Sequence, residues 1–438
     1  MSPETLGLIL LFGLIFAIFA GFPIAFTLII MAIVFGYIGF GTQVFDLMVF
    51  QSIGMMKEET FAAVPLFIFM GHLLEKSGLM ERLFRSFQLL LGGLRGSLYL
   101  GVILTSTIFA TATGIIGASV TVIGIMAAPQ MMKSKYDTRL SAGAITAGGC
   151  LGILIPPSVM LVVMGPIVGI SVVKLYGAAI LPGLLLSTLY ISYAMIKSYL
   201  KPEVGPALPP EERLVSRREL LIEFFSGIVP VSVVIFAALG SIILGLATPT
   251  EAAALAATGS IILSLLYRRL NWMTLKGAVL NTLQTSSMVM FLAVASTIYG
   301  SVLTRLGTTT MLAKSMLGLG LSPLAMIGLL MLVIFILGWP LEWPAIVFIF
   351  LPILLPVVQE LKIDILWFTT LVAVNLQTAF LSPPVAMAAY YLKAVAPQWE
   401  LKDIYWGMAD FMVLQLIGLA IVFFFPPIVL WLPEVLFG

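Results

Sequence analysis

The chain has 438 residues, 61% of them apolar and 10% charged, with a net charge of +2. Average soluble proteins are about one quarter charged, so this composition excludes a soluble globular domain. One histidine (His72) and one cysteine (Cys150) exclude a His/Cys metal cluster and an intrachain disulfide, and no basic tract points to a nucleic-acid partner.

Apolar runs long enough to cross a bilayer recur along the chain. Spans are expected at 5–20, 23–40, 60–74, 139–170, 175–198, 222–245, 250–267, 277–299, 365–392 and 405–431. The first carries no basic leader and no cleavage site, so it is read as a retained helix and not a signal peptide. Residues 76–95 alternate apolar and charged side chains (Met80, Leu83, Phe84 and Phe87 against Glu81, Arg82 and Arg85). That pattern suits an amphipathic helix in the interface, or an ordinary loop helix. A second such arm is expected at 307–319.

Two apolar blocks, 97–131 and 321–358, are too long for one span. Each is interrupted at its centre, by Thr113-Gly-Ile-Ile-Gly-Ala-Ser119 and by Gly338-Trp-Pro-Leu-Glu-Trp-Pro344. Each half falls short of the roughly 20 residues a span needs, which favours re-entrant hairpins over pairs of short spans. The spans 139–170 and 365–392 contain Leu151-Gly-Ile-Leu-Ile-Pro-Pro-Ser158 and Thr378-Ala-Phe-Leu-Ser-Pro-Pro-Val385. A proline pair removes two backbone donors and ends a helix. In lipid, the freed groups are tolerated only inside protein or along a polar cavity.

Pro156 and Pro383 are 227 positions apart, and Pro23/Pro249, Gly71/Gly300 and Tyr176/Tyr405 repeat at almost the same offset. Colinear matches of this kind mark an internal repeat. With the N-terminus outside and the hairpins entering from opposite sides, seventeen of the 22 Lys and Arg residues fall in the cytoplasm. Lys57, Lys174, Arg305, Lys314 and Lys362 stay outside. The bias obeys the positive-inside rule and makes the halves inverted, an arrangement that alternating access uses.

Hairpin tips and broken helices present carbonyls and hydroxyls, which hard cations prefer, and helix N-termini, which favour carboxylates. The first half offers Thr111, Thr113, Gly114, Gly117, Ser119, Gly148, Gly149, Gly152 and Ser158. The second offers Gly338, Asn375, Gln377, Thr378, Ser382 and the carbonyls before Pro383. For Gly148 and Gly149, close helix packing is an equal explanation. Asn375 and Thr378, three residues apart, share a helix face before the break. Glu342, between Pro340 and Pro344, is read as a cation or proton group, as a surface residue, or as a partner of Arg305. Glu251 is expected to be structural. Trp339 and Trp343 are read as interfacial anchors or pocket walls, and His72 receives no role. Walker A, His-Glu-x-x-His and Gly-x-Ser-x-Gly patterns are absent, so no enzyme is expected.

Five motifs in order resemble the large membrane subunit of tripartite ATP-independent periplasmic (TRAP) transporters, in the DctM-like family. They are Val64-Pro-Leu-Phe-Ile-Phe-Met-Gly71, Thr111-Ala-Thr-Gly114, Leu151-Gly-Ile-Leu-Ile-Pro-Pro-Ser158, Thr248-Pro-Thr-Glu-Ala-Ala-Ala254 and Asn375-Leu-Gln-Thr-Ala-Phe-Leu-Ser-Pro-Pro384. The resemblance implies an all-α polytopic membrane protein with an inverted structural repeat, two re-entrant hairpins and two broken helices, of the elevator type found in the ion-transporter superfamily. It implies scaffold helices and a cytoplasmic arm at 1–95 and a first transport half at 96–200 (hairpin 96–132, broken helix 139–170, helix 175–198). A linker at 201–221 then leads to scaffold helices and an outer arm at 222–320. The second transport half would be 321–438 (hairpin 321–360, broken helix 365–392, helix 405–431).

Function by resemblance is Na⁺-coupled import of an organic acid across the inner membrane. A separate small four-helix membrane subunit and a periplasmic substrate-binding protein would be the partners, and no cofactor is expected beyond Na⁺ as coupling ion. The residues carried over for Na⁺ are Thr113, Gly114, Ser119, Gly152, Pro156, Gly338, Asn375, Thr378 and Ser382. Thr111, Ser158, Glu342 and Gln377 are candidates for the carboxylate substrate. The chain departs from many relatives at Gly114-Ile-Ile-Gly117, where serines are commoner, and at Leu341-Glu342-Trp343, where an aspartate is common. Competing readings are a stand-alone Na⁺/carboxylate symporter without a binding protein and a non-transporting membrane scaffold or channel.

Overall fold

A computed structural model of the chain describes residues 2–114, 116–209, 217–383 and 386–438, and no strand occurs among them. The first half contains α1 (Pro3–Phe19), α2 (Ile24–Phe40), α3 (Gln43–Met56), α4 (Ala63–Lys76), α5 (Leu79–Leu91), α6 (Ser97–Thr113), α7 (Ile116–Lys133), α8 (Thr138–Cys150), α9 (Val159–Val168) and α10 (Val172–Leu200). The second contains α11 (Arg217–Ile243), α12 (Pro249–Leu266), α13 (Trp272–Arg305), α14 (Thr308–Leu317), α15 (Pro323–Leu337), α16 (Trp343–Ala345), α17 (Leu351–Glu360), α18 (Ile365–Leu376), α19 (Thr378–Leu381), α20 (Met387–Val395), α21 (Leu401–Phe424) and α22 (Pro427–Phe437). A π-helical turn, Ile346–Phe350, joins α16 to α17. Seven helical stretches among the described residues are long and apolar enough to cross a membrane, and two of them, Ile116–Lys133 and Trp343–Glu360, are the second arms of the two hairpins, longer than the short halves expected there.

The internal repeat is written into the backbone. Asp137 and Asp364, 227 positions apart, each cap a helix that leads to a break: Leu140 N donates to Asp137 Oδ1 and Trp367 N to Asp364 Oδ1, both at 2.8 Å. Just before them, Lys135 and Lys362 both take positive φ, 57° and 53°. Gly78 and Gly307 open the two arm helices, α5 and α14, at φ of 74° and 78°, a conformation that glycine adopts without steric cost.

Contacts at the helix ends sort the chain into two faces. Glu4 lies against Gly307, Arg305 bonds Gln43, and Thr250 Oγ1 donates to the Glu59 carbonyl at 3.2 Å. At the other end of α13, Lys76 meets Gly277, and Arg269 meets Gly78. The 34 residues of α13 separate these faces by about 50 Å at 1.5 Å per residue. The α6/α7 hairpin has its base on the Lys76 side. There the connecting segment is stitched down: Gly96 N donates to Gly205 O (2.8 Å), Asp137 N to Val204 O (2.9 Å) and Tyr99 Oη to Val204 O (2.6 Å). The α15–α17 hairpin follows α14 and starts from the Glu4 side, so the two hairpins enter from opposite faces.

One group of helices comprises α1, α2, α4 and α11–α13, with α5 laid along α11. Here Thr248 and Glu251 form a capping box at the start of α12, Thr248 N donating to Glu251 Oε2 at 2.8 Å, so Glu251 is a structural residue. The other group packs α8 against α7 and α21, and α20 against α7. At its closest crossing a Cβ on Gly407 would lie 1.9 Å from Arg139 O, so backbone meets backbone. Arg139 Nε and Asp403 Oδ1 pair at 2.9 Å at the exposed end of this crossing.

Several expected boundaries change. Residues 41–59 contain a 14-residue helix, α3, where only a connection was expected; Gln43, Asp46, Gln51 and Ser52 make it too polar to resemble a span. The helix expected at 277–299 runs from Trp272 to Arg305. The expected span 405–431 is two helices, because Pro426-Pro427 stops α21 at Phe424. The polar connection ends earlier than residue 221, since α11 begins at Arg217.

Candidate functional site

The first hairpin turns at Gly114, whose φ is +58°. A Cβ there would come within 3.1 Å of Val159 Cγ2 and 3.3 Å of Val159 N, so the tip rests on the first turn of α9. The chain reaches that turn through a tight bend: α8 ends at Cys150, a 3-10 turn holds buried Gly152, and buried Pro156 and Pro157 follow. Ser158 bridges the bend. Its hydroxyl donates to Ile153 O and accepts from Leu161 N, so it caps α9. That bond to Ile153 O commits the only proton of Ser158. Ser119 is buried in the first turn of α7. The side chains of Thr111 and Thr113 lie outside the described residues, as does Ile115. Gly148 and Gly149 serve packing, since a Cβ would meet Ser106 Oγ at 2.6 Å and Val120 Cγ2 at 2.5 Å.

At the second break the polar groups are richer and less satisfied. Asn375 Nδ2 donates to Met331 O in α15 at 2.7 Å, which ties the broken helix to the hairpin arm. Thr378 Oγ1 donates to Asn375 O and Ser382 Oγ to Thr378 O, both at 2.7 Å. Both hydroxyl protons are therefore spent on the break's own carbonyls, and what each oxygen has left is lone pairs. Asn375 Oδ1 is buried without a partner among the described residues, and so are both polar atoms of Gln377, a residue with no exposed surface. Unpaired buried polar atoms cost about 1–3 kcal/mol each, so such a cluster calls for an explanation. Gly338, at the second tip, lies against α19: a Cβ would be 3.2 Å from Ala379 Cβ. Gly338, Asn375, Thr378 and Ser382 thus belong to one neighbourhood, where Asn375 Oδ1 and the hydroxyl lone pairs suit a hard cation and Gln377 Nε2 is a free donor beside them. Pro383 follows, and Pro384 and Val385 are outside the described residues.

The two tips meet at a cavity of about 120 Å³. Gly114, Ile116 and Gly117 line it from the first hairpin, and Glu342, Trp343 and Pro344 from the second. Ile153 and Val159 of the first break and Phe380 of the second complete that side. The facing wall comes from the other helix group: Ile68 of α4, and Thr285, Met288 and Val289 of α13. Tyr391 also lines it, its ring stacked on Gly117 where a Cβ would sit 3.0 Å away. No Lys or Arg is among the described lining residues.

Of the three substrate candidates whose side chains are described, Glu342 alone lines this cavity, and it is exposed. Gln377 is buried away from it, and Ser158 is occupied as a cap. Glu342 is not paired with Arg305, which bonds Gln43 and stacks on Phe40 instead. Trp343 is a cavity wall, whereas Trp339 is exposed at 42%. Thr285 and Tyr391 were missed. Thr282, Thr285 and Ser286 at helical spacing within an apolar span were a signal for the first; nothing marked the second.

A sequence profile of the tripartite ATP-independent periplasmic transporter DctM component matches residues 11–428. The chain is 31% identical over 436 residues to the sialic acid TRAP transporter large permease protein SiaM of Vibrio cholerae, covering 98% of each. It is 31% identical over 376 residues to the C4-dicarboxylate TRAP transporter large permease protein DctM of Pseudomonas aeruginosa, covering 86% of each. Among solved structures, the YdaH transporter of Alcanivorax borkumensis has a similar fold (TM-score 0.67, 12% identity, 97% of this chain and 98% of that one). MtrF of Neisseria gonorrhoeae is also similar (TM-score 0.57, 13% identity, 97% and 94%). Those two likenesses concern fold alone. The sequence relatives and the profile, with two hairpins and two broken helices around one cavity, establish this chain as a member of the DctM family, a large permease subunit of a TRAP transporter.

Proposed function

We propose that this subunit imports an organic acid across the inner membrane of a prokaryote, coupled to Na⁺, by an elevator motion. In this reading α6–α10 and α15–α22 move as one body against α1–α4 and α11–α13, and the N-terminus is periplasmic. A periplasmic binding protein delivers the acid, and a separate small four-helix subunit widens the scaffold.

The observation that carries the reading is the cavity between the tips. One wall belongs to the group that holds both hairpins and both broken helices, and the other to α4 and α13. A solute held there rides with the first group while the second stays still. The second break supports Na⁺ as the coupling ion, because Asn375 Oδ1, Thr378 Oγ1 and Ser382 Oγ can only accept where they are free. The relatives named for sialic acid and C4-dicarboxylates support an organic acid as the solute.

The test is uptake of labelled organic acids into proteoliposomes that hold this chain with its co-purified small subunit, under an inward Na⁺ gradient. The reading requires uptake that needs both Na⁺ and the binding protein. Uptake with Na⁺ alone would replace it with a stand-alone symporter, and no saturable, ion-dependent flux would sink both.

A further inference from the structure

The second break is also held from the side that faces away from the hairpin. Gln415 of α21 and Tyr190 of α10 are both fully buried. Gln415 Nε2 donates to Val374 O at 2.9 Å, and Tyr190 Oη donates to Gln415 Oε1. The direction of this relay is forced. Val374 O is a carbonyl and can only accept, so the amide must turn Nε2 toward it. Oε1 then faces Tyr190 and can only accept, so the phenol must donate. Val374 O is among the last four carbonyls of α18, which find no partner within their own helix. Gln415 supplies the donor that the break takes away.

The relay itself is firmly seated. The Tyr190 ring meets Phe411 edge-on, with centroids 5.4 Å apart. Gly418, three residues after Gln415 on α21, has no room for a Cβ against Leu186, four residues before Tyr190 on α10. The two helices therefore cross closely at the level of the relay.

What Gln415 holds is the peptide unit that leads into Asn375. A peptide bond is planar, so Val374 O, Asn375 N and Asn375 Cα share one plane. Fixing that carbonyl fixes where the Asn375 side chain starts. From there Nδ2 reaches Met331 O on α15, and Oδ1 is left free. The end of α18 is thus tied on one side to the hairpin and on the other to α21 and α10. Neither Gln415 nor Tyr190 lines the cavity between the tips.

We propose that Gln415, oriented by Tyr190, is a positioning residue for the second break: it sets the direction of the free Asn375 oxygen, and through it the response to Na⁺. The proposal rests on the Na⁺ reading of that break and extends it to two residues that touch no solute.

The test is the Na⁺ dependence of uptake into proteoliposomes that hold the full chain and its co-purified small subunit, with the binding protein supplied. The variants are Gln415→Met, Tyr190→Phe/Gln415→Met, Asn375→Ala and Asn375→Ala/Gln415→Met. Gln415→Met keeps the length of the side chain and removes the donor, and adding Tyr190→Phe leaves no phenol stranded, which guards the fold. Tyr193→Phe is the control, since it removes a hydrogen bond to Asp410 between the same two helices without touching α18. The Na⁺ concentration for half-maximal uptake is expected to rise about fivefold (about 1 kcal/mol) in both Gln415 variants, with the maximal rate kept within about twofold. Tyr193→Phe should respond as wild type. In the Asn375→Ala background Gln415→Met should add no further shift, because a positioning residue acts only through the group it positions. A wild-type Na⁺ response in both Gln415 variants, an equal shift in Tyr193→Phe, or additive shifts with Asn375→Ala would each overturn the proposal. Uptake by wild type that ignores Na⁺ would fail the coupling reading instead. The same cycle read on uptake rate would then judge the positioning, with non-additive losses keeping it and additive losses removing it. No uptake by wild type would fail both.

Discussion

At the residue scale, the second break depends on what Asn375 does with each end of its amide. Nδ2 holds α15 through Met331 O, and Oδ1 is left free in a buried place. Asn375→Ala removes both. The concentration of Na⁺ for half-maximal uptake is expected to rise about tenfold, a loss of about 1.4 kcal/mol in line with one charge-assisted contact. Unchanged Na⁺ activation would remove Asn375 from the site. Glu342 lines the tip cavity with an exposed side chain that no described cation pairs, so Glu342→Gln is expected to lower uptake about tenfold or more; wild-type uptake by this variant would remove Glu342 from the site. Gly114 poses a backbone question. An alanine at its φ of +58° costs about 1–2 kcal/mol, and its Cβ presses on Val159. Gly114→Ala should therefore melt at a lower temperature and transport more slowly, and a variant indistinguishable from wild type in both assays would show that the tip tolerates a side chain.

At the scale of elements, the features legible in the sequence are those that proline and glycine impose. Pro156-Pro157 and Pro383-Pro384 marked both breaks because proline cannot donate, and the Gly114 and Gly338 tips followed from block lengths that suit no single span. Asn375 and Thr378 were legible because helical spacing put them together. Tyr391 was not, because its place over Gly117 is set by how α20 packs on α7, which local sequence does not encode. The α3 helix escaped for a related reason: it lies among tertiary contacts to α13 and α2, and its composition reads as a loop. The α8–α21 crossing is another feature that sequence hides. At Gly407, a Cβ 1.9 Å from Arg139 O has no room, and the obstacle is backbone, which cannot rotate away. Gly407→Ala is expected to cost about 1–3 kcal/mol by overpacking and to lower the melting temperature, whereas Gly300→Ala, facing open space, should not. Equal melting temperatures for the two variants would contradict the close crossing.

At the scale of the whole molecule, the contacts sort the chain into two faces, and the proposed orientation puts one of them outside. The count of basic residues is the ground on which the N-terminus is proposed to lie outside. Contacts alone then gather Glu4, Gly307, Gln43 and Arg305 on one face and Lys76, Arg269 and Gly277 on the other, with α13 between them. Four of the five basic residues assigned to the outside, Lys57, Arg305, Lys314 and Lys362, lie in or beside α3, α14 and the base of the second hairpin, on the Glu4 face. The orientation decides more than a label. With the Glu4 face periplasmic, the base of the second hairpin lies on the side from which a binding protein would deliver its solute. Cys150 makes the test simple, because the only native thiol is fully buried and its replacement by serine gives a silent background. On that background, Lys314→Cys should react with a membrane-impermeant maleimide in intact spheroplasts, and Lys402→Cys only after the membrane is opened. The reverse pattern would invert the chain. Labelling of both positions in intact spheroplasts would contradict the two-faced arrangement itself.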